Sequence, residues 1–158
     1  MKRNHNREKR EQEVIRVWTH AQATAALPYL TSVMQSVRES RLEAVRLRLA
    51  ARKLADMPGR PDRARIIAQE EAAREVQRAD DRFQEAVAEL EALDVYCLHA
   101  VRGQALIPFI HDEQLAWFVF DLFDADRLRF WRYHSDPLER RRPMAEALGN
   151  AGQNQLIV

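Results

Sequence analysis

Two long runs of small and apolar residues recur in alternating steps of four and three, and nothing else in the chain limits its fold as strongly. The first run is Ala26, Leu30, Val33, Val37, Ser40, Ala44, Leu47, Ala51 and Leu54, and the second is Ala72, Val76, Ala79, Phe83, Ala86 and Leu90. Steps of this kind keep one stripe of a helix facing a partner helix over many turns. Between the runs, Met57-Pro58-Gly59-Arg60-Pro61-Asp62 is the densest turn signal in the sequence. Two seams joined by a short turn predict an antiparallel helical hairpin, coiled-coil-like, with helices over 19–57 and 62–93. The many alanines allow close approach. Thr19 and Gln22 have the spacing of a capping box, and Pro28 is expected to kink the first helix or to move its start.

After Asp94 the period changes. Val95–Leu98, Ala105–Ile110, Leu115–Phe120 and Leu128–Tyr133 are short aromatic and β-branched runs, the later ones separated by Asp112-Glu113 and Asp124-Ala125-Asp126. They predict an antiparallel β-meander over 95–134. Pro108 is expected at an edge strand or a bulge. Leu115–Phe120 is apolar on both faces, so one face should pack on the helix roots and the other needs a cover, for which a second subunit is expected. Val14-Ile15-Arg16-Val17-Trp18 is a further candidate strand. The fold class is therefore α+β: a long helical hairpin followed by a small antiparallel meander, in one domain spanning 14–144. A disordered basic arm over 1–13 and a short helical or loose tail over 145–158 flank it.

Composition agrees with a helical, globular chain. Of 158 residues 46% are hydrophobic and 31% charged, with four glycines and six prolines, too few turn formers for a loop-rich all-β fold. No run approaches the ~20 apolar residues that span a bilayer, and no signal-peptide core follows the charged start. A cytoplasmic protein without membrane contact is expected. Cys97 is the only cysteine, which excludes an internal disulfide and a thiolate zinc cluster.

The net charge of +1 hides a strong asymmetry. Arg46, Arg48, Arg52, Lys53, Arg60, Arg63 and Arg65 against Asp56 and Asp62 give the hairpin tip +5, whereas residues 70–94 carry −6. The tip cations are candidate nucleic-acid contacts. With no aromatic residue there to stack bases, any such binding would be nonspecific and salt-sensitive. The bland alternative is a solvated face, or pairing of the basic tip with the acidic stretch of a second copy.

Trp131, Arg132, Tyr133, His134, Arg141 and Arg142 form the densest concentration of functional residue types, and are candidate contacts for an anionic ligand, with Arg141 or Arg142 as a carboxylate or phosphate fork. Set against this is a closing strand with packed aromatics, its arginines pairing with the acidic second helix. His99, His111 and His134 lack metal-ligand spacing, so no metal is expected. Cys97 reads as a buried thiol. The four isolated glycines make no phosphate loop, and no cofactor is expected.

Three places together resemble a known, uncharacterised and mainly bacterial family, domain of unknown function 2203. They are Trp18-Thr19 with Ala23 and Leu27-Pro28; Gly103 with Leu106-Ile107-Pro108-Phe109; and Trp131 with Arg141-Arg142-Pro143. The likeness spans about 14–144. The chain departs from the family pattern where an aspartate is missing from the second motif, where Arg132 replaces a histidine after the tryptophan, and where Pro137-Leu138 replaces a Gly-Phe pair. The resemblance implies the architecture and no assigned activity. The expected function is a non-enzymatic interaction or scaffold protein, a homodimer. The alternatives are an RNA- or ribosome-associated factor using the basic tip, and a small-ligand or enzymatic site around Trp131–Arg142.

Overall fold

The computed structural model describes residues 14–151. The expected basic arm over 1–13 and the tail beyond Ala151 lie outside the described residues. The chain forms α1 (His20–Ala25), α2 (Leu27–Ala55), α3 (Arg63–Glu91), β1 (Tyr96–His99), β2 (Gln104–His111), β3 (Gln114–Asp121), β4 (Phe130–Tyr133), β5 (Arg142–Pro143) and α4 (Met144–Ala151). The α+β architecture is that of a long helical hairpin followed by one antiparallel sheet in the order β1-β2-β3-β4-β5.

The capping box forms as its spacing requires. Thr19 accepts from the Gln22 main-chain N–H, and the Gln22 side chain returns to the Thr19 N–H. The single helix expected over 19–57 is divided at Ala26, and Pro28 falls in the first turn of α2, where a missing N–H leaves no helix bond unmade. At the hairpin turn Gly59 takes φ +89°, and the Asp62 carboxylate caps α3 by accepting from the Arg65 N–H at 2.8 Å. Each long helix has 29 residues, or ~43 Å of length. Every residue of the first seam is buried or half-buried, and so is every residue of the second.

The core lies at the roots of the hairpin. Leu30, Val33, Met34 and Val37 of α2, with Ala86 and Leu90 of α3, pack against Ile107, Phe109, Phe118, Phe120 and Trp131 of the sheet. Burial of each large side chain here is worth ~1.5–3 kcal/mol. Strand register explains the choice of face. Ile107 pairs with Phe118 and Phe118 with Trp131, so this row and its second neighbours all point at the helices.

Three expectations need correction. Val14–Trp18 makes no strand: it is strapped down by single bonds from the Arg16 N–H to the Asp94 carboxylate, from the Trp18 N–H to the Pro108 carbonyl and from the Trp18 indole to the Leu93 carbonyl. Pro108 is neither on an edge strand nor in a bulge, since β2 lies between β1 and β3. Its carbonyl is turned toward Trp18, beyond the point where β1 begins opposite Leu106, so the absent N–H falls where no ladder bond was due. The second face of the sheet, finally, is partly covered by the chain itself. Leu106 and Val119 are buried there, while the segment after β4 returns across this face through Trp117, Arg132 and His134. What stays open is its margin, where Tyr96 and Ile110 are exposed.

Among the described residues no helix is long and apolar enough to cross a membrane.

Candidate functional site

Alternation along β4 separates the residues that the sequence grouped together. Trp131 and Tyr133 point to the helix side, and Arg132 to the opposite side of the sheet, opposite Trp117. The candidate site is therefore two sites back to back.

On the helix side Trp131 is fully buried. Its ring meets His111 edge-on at 4.7 Å and Tyr133 at 4.9 Å, and its indole N–H donates to the Pro143 carbonyl at 3.1 Å. Arg142 of β5 lies over the Tyr133 ring at 4.8 Å and donates two bonds to Asp136, at 2.8 and 2.9 Å. Asp136 also accepts from the Tyr133 N–H at 2.9 Å. The Arg142 fork, held by main-chain and aromatic neighbours, pulls the Asp136 carboxyl down to about 2. This fork is thus occupied by a carboxylate of the chain. The acidic second helix takes no part in it, contrary to the pairing expected for these arginines, because the turn after β4 supplies its own acid.

On the far side, Arg132 is 5% exposed. One guanidinium nitrogen donates to the Asp136 carbonyl, and Nε has no partner. His134 is exposed, and its Nδ1 accepts from the Trp117 indole N–H at 3.1 Å. Arg141 donates to the Leu138 and Arg140 carbonyls, at 2.9 and 3.0 Å. Burial, and then the neighbouring Arg132 charge, push its pKa down.

A pocket of about 290 Å3 lies where α1, the end of β2 and α4 meet. Phe109, Phe118 and Leu148 line it, with His20, His111 and Asp112 as polar groups. Asp112 and Glu113 form a two-residue hairpin loop with φ of 46° and 61°, both in the left-handed region that such loops demand. One Asp112 oxygen lies 3.5 Å from His111 Nε2 and 3.4 Å from the Tyr133 hydroxyl. The sequence did not reveal this grouping, since His20 lies far along the chain from His111 and Asp112 and no local pattern links them. Among the described residues no three His, Cys, Asp or Glu side chains are gathered to hold a metal ion. Cys97 is half-buried rather than buried, and desolvation raises its thiol pKa.

Several cations of the hairpin tip are already engaged. Arg46 pairs with Glu43 and Arg48 with Asp80, both at 2.6 Å. Arg65 holds the Met57, Pro58 and Gly59 carbonyls of the turn. Arg52, Lys53, Arg60 and Arg63 are exposed, and among the described residues they have no carboxylate partner.

No curated protein and no solved structure matches the chain. The model of one family does, over residues 16–144, a span holding the hairpin, the sheet and both faces of the candidate site. The chain therefore belongs to that family, the uncharacterised conserved proteins of domain of unknown function 2203.

Proposed function

We propose that this protein is a non-enzymatic interaction protein that self-associates through its hairpin arm. The observation that carries this reading is the state of the outer arm: no residue from Val45 to Arg78 is buried. The two helices there share a seam of half-buried alanine, valine and leucine, joined by the Arg48–Asp80 pair and a bond from the Gln69 side chain to the Leu54 carbonyl. Two-helix segments with so little core are marginal alone, because helix stability in proteins comes mostly from tertiary packing. Apolar side chains are displayed at helical spacing at the start of this stretch and one turn before it, with Leu42, Val45 and Leu49 at 37, 38 and 52% exposure. Arg38, one turn before Leu42, covers the ring of Phe123 at 5.0 Å, and Phe123 is itself 65% exposed. The stripe thus runs from the sheet margin up the arm.

A second copy is the occupant that charge favours. The tip is basic and the returning helix acidic, so two arms laid antiparallel set each basic tip against an acidic root. Light scattering on a size-exclusion column should give a dimer at micromolar concentration, weakened by salt as screened charges require. V45D combined with L49D should give a monomer with its helix content retained. A wild-type protein that is monomeric under these conditions would overturn the proposal.

A further inference from the structure

Of the arginines around the β4–β5 corner, four divide sharply. Arg129 donates two bonds to Asp124, both at 2.8 Å, and Arg142 donates two to Asp136. Arg132, on the far side of the sheet, and Arg141, close enough for the two charges to repel, have no carboxylate within ion-pair distance among the described residues. Arg132 is the unusual one. A guanidinium 5% exposed, with one carbonyl acceptor and an Nε that bonds to nothing, is a buried cation without an anion, and removal of such a charge from water costs several kcal/mol unless it is paired. The Arg65 Nε is also unpartnered, but that guanidinium is less buried and takes three carbonyls.

The nearby acids do not supply the missing charge. Asp136 turns its carboxylate to Arg142. Asp121 accepts from the Phe123 N–H at 2.9 Å and from Gln104 at 3.4 Å. Glu139 and Asp121 are close enough to act on Arg141 through space, yet neither makes an ion pair with it.

We propose that Arg132 and Arg141 form a binding site for a small oxyanion, a carboxylate or phosphate group, seated between the turn after β4 and the sheet face at Trp117. Arg132 supplies a desolvated charge held in place by the Asp136 carbonyl. Arg141, half-buried and tethered only to carbonyls, supplies the mobile half of the clamp. Two guanidiniums that repel each other in the free protein are drawn together by the anion, so binding should stabilise the fold.

The test uses the whole protein, with sodium phosphate and sodium succinate as separate probes against sodium chloride at matched ionic strength. Thermal melting is followed by tryptophan fluorescence. The expected result is a saturable rise in melting temperature with at least one of the two oxyanions, the responsive one identifying the headgroup. In R141Q half-saturation should move up by roughly tenfold or more, the scale of one lost charge-assisted contact. In R132M the response should vanish. If R132M does not fold, R141Q alone decides. No rise beyond chloride for either probe, or a rise left unchanged in R141Q, would overturn the proposal.

Discussion

Replacement of Gly103 by alanine should cost far more than the same change at Gly59, and the structure gives the difference. Both glycines have positive φ, +66° and +89°. A Cβ in the left-handed region costs ~1–2 kcal/mol. Loss of glycine's freedom in the unfolded chain returns ~0.4–1 kcal/mol, so backbone effects alone leave roughly 1 kcal/mol at either site. At Gly59 nothing lies within 4 Å of the added Cβ. At Gly103 it would stand 2.6 Å from Leu122 Cβ and 3.1 Å from Leu122 Cδ2. Leu122 Cβ is fixed by its own backbone, whose N–H donates to the Gly103 carbonyl at 2.9 Å. The neighbour therefore cannot swing aside, and overpacking adds ~1–3 kcal/mol. G103A should lose roughly 2–4 kcal/mol, G59A about 1 kcal/mol. Urea unfolding followed by the fluorescence of Trp18, Trp117 and Trp131 measures both, and a melting temperature lower by about 2–4 °C per kcal/mol should accompany each. Equal losses at the two glycines would refute the reasoning, since they would mean that the strands part without cost. In a double-mutant cycle, L122G, which removes the obstructing Leu122 Cβ, should make G103A cost less than it does beside Leu122 if the contact is the cause.

Other consequences can be checked in the same assays. T19A removes the cap of α1 and should cost about 1 kcal/mol in urea unfolding. L90A opens the core between α3 and the sheet, at a cost of ~2–5 kcal/mol. Asp136 has a folded pKa of about 2, below its ordinary 3.8, so its pairing with Arg142 contributes above the unfolded value and is lost as pH falls from about 4 toward 2. The stability gap between wild type and D136N should accordingly be full at neutral pH and close across that window; a gap unchanged down to pH 2 would count against the pairing. The Cys97 thiol, raised by burial, should react with iodoacetamide more slowly than a free cysteine at neutral pH, and denaturant should abolish the difference.

The hairpin was legible because a helix repeats its contacts every three to four residues, so one strip of sequence carries the packing rule. Ala44, Ala79 and Ala86 were placed on the seam by spacing alone, and they are buried. Thr19 with Gln22 was legible for the same reason, a cap being a contact over three residues. The meander was legible as runs. The two-residue β5 was not, because Arg142-Pro143 has neither apolar alternation nor β-branched side chains, and its pairing with Phe130 and Trp131 is decided by where the turn after β4 returns.

The candidate site shows the limit more sharply. Trp131, Arg132, Tyr133 and His134 adjoin in sequence, and that nearness suggested one ligand site. A strand sends adjacent side chains to opposite faces, so the nearness guaranteed their separation instead. Which arginine would find a carboxylate depended on the Asp136 side chain turning to Arg142, which leaves the Arg132 side chain only the Asp136 carbonyl. His20, His111 and Asp112 come from three distant places and meet in one pocket, a fact that no local pattern encodes.

By itself, then, the sequence determined the two long helices, the Thr19 cap, the seam of the hairpin and the main runs of the meander, all of which follow from periodicities shorter than eight residues. The tertiary structure decided the rest. It placed Pro108 inside the sheet rather than on its edge, laid the turn after β4 over the second face, and gave acids to Arg129 and Arg142 while leaving Arg132 buried without one. The placing of Pro108 depends on strands far apart in the chain, and the pairing of the arginines on how a turn and the alternating faces of a strand aim groups that are near in sequence, where a few ångströms separate a paired charge from an unpaired one.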